Sequence, residues 1–192
     1  MPLTGRTPRD CYEPFREHVS KVLCETLHAT AVVAVEPRAN TDRFTLLLRP
    51  PGAMIPLDTR LGRLHLHIAQ ALEAERLGRR KGYILRTRQY WYRLHETADL
   101  RKEALIRWEY DRDALPKDAP RPPRNHVQMA GALTRAGGDA LDLNKLHVPT
   151  GWVLLEAVIR FLIADLGVKP PCGDKWPGIL VRGEELFRKS YT

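Results

Sequence analysis

The segment from Tyr83 to Leu94, YILRTRQYWYRL, and the segment from Ala104 to Asp111 both read as β-strands, and a short charged turn from His95 to Lys102 joins them. Two neighbouring strands joined by so short a turn pair antiparallel, because a parallel pair needs a crossover of a dozen or more residues. In the second strand, alternation puts Ile106, Trp108 and Tyr110 on one face and Arg107, Glu109 and Asp111 on the other. One face of this hairpin is therefore apolar and requires a cover.

Helical spacing elsewhere supplies it. Phe15, Val19, Val22, Leu23, Thr26 and Leu27 define an amphipathic helix from Glu13 to His28. Ala31–Val35 and Phe44–Leu48 read as a second antiparallel hairpin, joined by the polar Glu36–Asp42 and stopped at Pro50-Pro51-Gly52. Leu61, Leu64, Ile68, Ala71 and Leu72 fit a second helix from Asp58 or Thr59 to Leu77, with Gly78 as its stop. Pro116, Pro120, Pro122 and Pro123 mark an irregular arm, since proline lacks a backbone donor and disfavours helix before it. Asn125–Gln128 follows as a short extended element, and Gly131–Asn144 reads as a mobile loop. A third helix is expected from Thr150 as N-cap through Leu155, Val158, Ile159, Leu162, Ile163 and Leu166 to Gly167, with Pro170-Pro171 beyond it. A short terminal helix is expected around Glu184 to Lys189. The fold class is α+β, an antiparallel sheet packed against helices in a single domain over residues 1–192. Its parts are a helix-hairpin-helix region (1–82), a central region (83–168) and a tail (169–192).

The chain carries a formal charge of +8 and a sequence pI near 9.7, which favours RNA or another nucleic acid, an anionic membrane or an acidic protein as partner. Trp152–Val168, the most hydrophobic helix candidate, is interrupted by Glu156, Arg160 and Asp165, so no membrane span and no membrane partner is expected. The N-terminus lacks the apolar core of a secretory signal, and Cys11, Cys24 and Cys172 are odd in number without metal-ligand spacing. These features predict a cytoplasmic protein with reduced thiols and neither metal nor cofactor. No phosphate-binding glycine loop, dinucleotide fingerprint, nucleophile elbow or zinc-protease motif occurs.

From Arg76 to Arg93 the chain has Arg76, Arg79, Arg80, Lys81, Arg86, Arg88 and Arg93, no acid, and interleaved Tyr83, Tyr90, Trp91 and Tyr92. Guanidinium groups neutralise phosphate, and aromatic faces stack on unpaired bases. Arg79, Arg80, Lys81, Arg86, Arg88, Arg107 and Arg124 are the candidate nucleic-acid contacts. The same pattern also describes a strand whose rings are core and whose arginines are a solvated face. If the proline arm folds back, His126 approaches Glu109 or Asp111, giving an imidazole oriented by a carboxylate and able to move protons near neutral pH. His126, Asp111 and Glu109 are thus the candidate catalytic residues. A charge ladder with a structural His126 accounts for the same residues. His65 and His67 on a helix point to different faces. His147 either meets His126 across the Gly-rich loop or satisfies a helix end.

The segments Tyr90–His95, Ile106–Asp111, Pro123–Gln128 and His147-Val148-Pro149 before the Glu156–Leu166 helix together resemble, in order and spacing, the TumE-like toxins of bacterial toxin–antitoxin systems. The resemblance spans residues 83 to 168. It implies a small α+β toxin that acts on RNA or translation and is neutralised by a cognate antitoxin, with a metal-independent ribonuclease as one form of that activity. Arg112 follows Asp111 where that family has an asparagine, and Gln128 cannot transfer protons as a second histidine does. A non-catalytic nucleic-acid binder and a protein-interaction module are the alternatives.

Overall fold

The edges of a strand carry backbone N–H and C=O groups that need partners, and most of the described strands find them in a single antiparallel sheet. The computed structural model describes residues 4–37, 44–50, 54–77, 82–112, 123–134, 138 and 140–188. The elements are β1 (Thr4–Gly5), α1 (Pro8–Leu27), β2 (Val32–Pro37), β3 (Phe44–Arg49), β4 (Met54–Thr59), β5 (Gly62–Arg76), β6 (Tyr83–His95) and β7 (Ile106–Asp111). They continue as β8 (Asn125–Met129), β9 (Ala132–Thr134), β10 (Ala140–Asp142), β11 (Val148–Pro149), α2 (Leu155–Ala164) and α3 (Trp176–Arg188). The large sheet runs β11-β8-β7-β6-β5-β3-β2, with β1 added to β6 and β4 added to β5, while β9 and β10 form a separate ribbon. The architecture is α+β, as expected, with both expected hairpins present.

The expected second helix is absent: β4, its turn and β5 occupy that stretch. Its sequence satisfies both periods. Leu64, Leu66, Ile68, Leu72 and Ala74 alternate onto one buried face, whereas Leu61, the anchor of the helical pattern, sits 69% exposed in the turn beside Gly62. Gly62 has φ +99°, a conformation that favours glycine. Pairing on both edges, with β4 and β3 on one side and β6 on the other, overrides the helix preference of Ala-Leu-Glu-Ala-Glu. Pro56 is tolerated because β4 pairs only with β5 and forms an edge there.

Three smaller differences have local causes. α1 begins at Pro8 rather than Glu13 because Thr7 accepts from the Asp10 N–H while the Asp10 carboxylate accepts from the Thr7 N–H, a reciprocal cap that fixes the earlier start. α2 begins at Leu155, not after Thr150, because Val153 N–H donates to the buried Tyr90 hydroxyl at 3.0 Å and holds the intervening residues extended. The expected Gly-rich loop contains β9, β10 and a 3₁₀ turn at Leu143–Lys145. α3 is longer than the expected terminal helix. The Pro116, Pro120 and Pro122 positions of the expected arm and the Arg79-Arg80-Lys81 loop lie outside the described residues.

All three helices cover one face of the sheet. The core combines Phe15, Val19, Val22 and Leu23 of α1 with Val158, Ile159 and Leu162 of α2, Leu180 of α3, and the buried row of β5. In β6 the register shifts opposite Ala71 and Leu72, leaving Arg88 as an extra residue. This bulge switches parity, so Leu85 before it and Tyr90, Tyr92 and Leu94 after it all face the helices. Gln70, the one polar residue in the inward row of β5, donates to the Tyr92 hydroxyl at 2.8 Å.

Candidate active site on the sheet face away from the helices

The face opposite the helices carries the polar side chains, and cross-strand register arranges them in rows. One row reads Ala69, Trp91, Glu109, His126 and Pro149 across β5, β6, β7, β8 and β11. The adjacent row reads His67, Arg93, Arg107 and Gln128. Asp111 lies on the other side of the first row, opposite Gln89, and its N–H donates to the Arg124 carbonyl at 3.0 Å.

His126 is 7% exposed and well fixed. Its Nδ1 lies 2.8 Å from the Pro123 carbonyl oxygen, and since a carbonyl only accepts, Nδ1 must carry the proton. Nε2 is then the nitrogen with the free lone pair, and it stands 3.9 Å from Glu109 Oε2. The other oxygen, Oε1, accepts from Arg93 Nε at 2.8 Å and Nη2 at 2.6 Å. The carboxylate next to the imidazole is therefore Glu109, and Asp111 is one row away.

His147 completes the cluster, its ring 4.9 Å from that of His126 and inclined at 61°. It is placed there by β11 pairing on β8 and by Asn144, whose side-chain oxygen accepts from Arg107 Nη2 at 2.5 Å and whose carbonyl accepts from Gln128 Nε2 at 2.9 Å. Burial lowers the His147 pKa, helped by the neighbouring His126 and Arg107, so His147 stays neutral near pH 7. Arg93 and Arg107 are register partners, and like charges directly opposite each other repel. Glu109 compensates Arg93, whereas Arg107 makes no ion pair among the described residues and meets only the neutral Asn144. That leaves positive charge suited to an anion beside His126.

Other expected contacts fall differently. Arg88 pairs with Glu73, itself 1% exposed, at 3.0 Å; Arg86 pairs with Glu75 at 3.2 Å; and Arg112 approaches Glu75 at 3.5 Å. The basic strand is thus matched by acids on β5, which the helical reading of β5 concealed. Arg124 is exposed. Tyr90 and Tyr92 are core residues stacked at 4.7 Å. The sequence reading left Arg93, Gln128 and Asn144 out of the site. The alternation that puts Trp91 and Arg93 on the face of Glu109 was the available signal for Arg93.

His65 and His67, being two apart on a strand, share one face, which corrects the expectation that they diverge. His95 pairs with His65 across the strands. The Nδ1 atoms of His65 and His67 and both nitrogens of His95 are buried without a hydrogen-bond partner, although the Lys102 backbone approaches His95. No three His, Cys, Asp or Glu side chains among the described residues are placed to hold a metal ion. Burial pushes the His67 pKa down from 6.5 to about 4, with Arg93, His95 and Arg49 adding to the effect. The unfolded chain takes up this proton first as pH falls, so stability is lost between about pH 6.5 and about pH 4 and levels off below that. Allowing for the partial exposure of the ring, the loss is on the order of 2 kcal/mol. Thermal melts should therefore show a smaller drop between pH 6.5 and pH 4 for His67→Gln than for the wild type. Equal drops would assign the acid sensitivity elsewhere.

A cavity of about 900 Å³ lies where the end of α1, β4 and the segment after α2 meet, and no residue of the two polar rows lines it among the described residues. No described helix is long and apolar enough to cross a membrane. No family model matches the chain, and no curated protein or solved structure is similar to it.

Proposed function

We propose that the protein is a toxin-like enzyme that cleaves RNA by internal phosphoryl transfer. The observation that carries the reading is the convergence of His126, His147 and Glu109 beside Arg107, which makes no ion pair among the described residues. His126 Nε2, the free position once Nδ1 is committed to Pro123, removes the proton from a ribose 2′-hydroxyl. The 2′-oxygen attacks phosphorus, the bond to the 5′-oxygen breaks, and the departing oxygen takes a proton from water. Glu109 balances the charge that His126 acquires, and Arg107 neutralises charge building on the phosphoryl oxygens.

Incubated with single-stranded RNA, the purified protein should release fragments ending in a 2′,3′-cyclic phosphate, each followed by a fragment with a 5′-hydroxyl. End-group analysis by mass spectrometry reads this directly. Salt-sensitive binding without turnover would support a nucleic-acid binder instead, and the ion pairs of Arg86 and Arg88 make that surface smaller than the sequence suggests. The toxin assignment adds a neutralising antitoxin as partner, expected to suppress cleavage on forming a complex.

A further inference from the structure

We infer that Trp91 seats an unpaired base, which makes single-stranded RNA the substrate class of the site; this rests on the phosphoryl-transfer reading above. The rings of the other three tryptophans all have partners: Trp108 meets Phe161 edge-on at 5.6 Å, Trp152 meets Tyr110 at 4.3 Å, and the Arg160 guanidinium lies over Trp176 at 5.8 Å. The Trp91 side chain has no ring contact and no hydrogen bond among the described residues, and it takes no part in the core cluster. The β6 bulge is the reason. It directs Tyr90 and Tyr92 to the helices and leaves Trp91 half-buried on the polar face.

Its position gives that ring a use. Trp91 shares a row with Glu109 and His126, two strands from the imidazole and so roughly 10 Å from it along the hydrogen-bonding direction. Its neighbour on β5 is Ala69, too small to cover the ring. A nucleotide with its base on Trp91 has its phosphate within reach of His126 and Arg107. A base inside a duplex is already stacked on both faces and cannot occupy the platform, so single strands are selected.

The test compares wild type, Trp91→Ala and Trp91→Phe on a single-stranded RNA 12-mer, on the same strand in a duplex, and on a 12-mer abasic next to the cleaved phosphate. Because one base–aromatic stack contributes on the order of 1–3 kcal/mol, Trp91→Ala should raise KM about tenfold on the base-bearing strand with little change in kcat. It should leave the abasic strand unaffected, and Trp91→Phe should recover most of the loss. Equal KM for wild type and Trp91→Ala, or an equal loss on the abasic strand, would overturn the platform while leaving the cleavage reading intact. If the wild type cleaves nothing, that reading falls, and binding of a single-stranded DNA 12-mer decides the platform. Base-dependent binding lost in Trp91→Ala upholds the platform, and base-independent or absent binding removes it.

Discussion

His126→Asn is expected to lower RNA cleavage by roughly 10²–10⁴-fold, the usual contribution of a positioned general base, with the fold retained. Asparagine is the informative replacement because the imidazole has two separate tasks. Nδ1 anchors the strand entry by donating to Pro123 O at 2.8 Å, whereas Nε2 faces Glu109 and His147. An asparagine amide can still donate to that carbonyl but has no basic nitrogen, so a loss of activity with unchanged circular dichroism separates chemistry from support. His126→Ala removes both roles and should also abolish any growth toxicity that the proposed cleavage causes. Glu109→Gln should cost less than His126→Asn, because it leaves the base in place while removing the charge that balances it and freeing Arg93 from its two bonds. Wild-type turnover in a folded His126→Asn protein would remove the proposed mechanism.

The central hairpin was legible because Arg107, Glu109 and Asp111 alternate with Ile106, Trp108 and Tyr110 in a pattern that fits only a strand with one covered face. α1 and the body of α2 were legible for the corresponding reason at helical period. The stretch from Asp58 to Leu77 was not, because its apolar residues satisfy both periods and its Leu, Ala, Glu and Arg content favours helix locally. Only the long-range pairing of β5 with β3, β4 and β6 decides it. That one ambiguity propagated into the site. Placed on a helix, His65 and His67 diverge and Glu73 and Glu75 have no relation to Arg88 and Arg86; placed on β5, the histidines share a face and the acids neutralise the cations. The partnership of His126 with Glu109 depended on a register that strand composition does not encode, since a slip of one residue would have turned the imidazole to the opposite face. The nearness of His147 depends on Asn144, a residue with no chemical signature of its own.

Gly183→Ala is expected to destabilise the protein by about 2–4 kcal/mol, although the same change in an exposed helix interior stabilises by about 1 kcal/mol. The reversal comes from what lies beneath the helix. A Cβ at Gly183 would sit 2.9 Å from Glu156 Cγ and 3.0 Å from Cδ, and nearer still to Oε1, so the carboxylate has to move. Glu156 is 3% exposed, its Oε1 meets His18 Nε2 at 3.3 Å, and its Oε2 is buried without a partner. Displacing it leaves a buried carboxylate between α1, α2 and α3 without its His18 contact, and an unsatisfied buried polar group costs about 1–3 kcal/mol, more when it is charged. Gly183→Ala should therefore lower Tm by on the order of 5–10 °C in a chain of this size. Glu156→Ala opens the space that the new methyl needs and removes the unpartnered oxygen. The double variant should then be more stable than the sum of the two single losses by at least about 1 kcal/mol, a coupling characteristic of side chains in direct contact. Additive losses would mean that α3 moves away from α2 to admit the methyl, and that the close approach of Gly183 does not hold Glu156 in place.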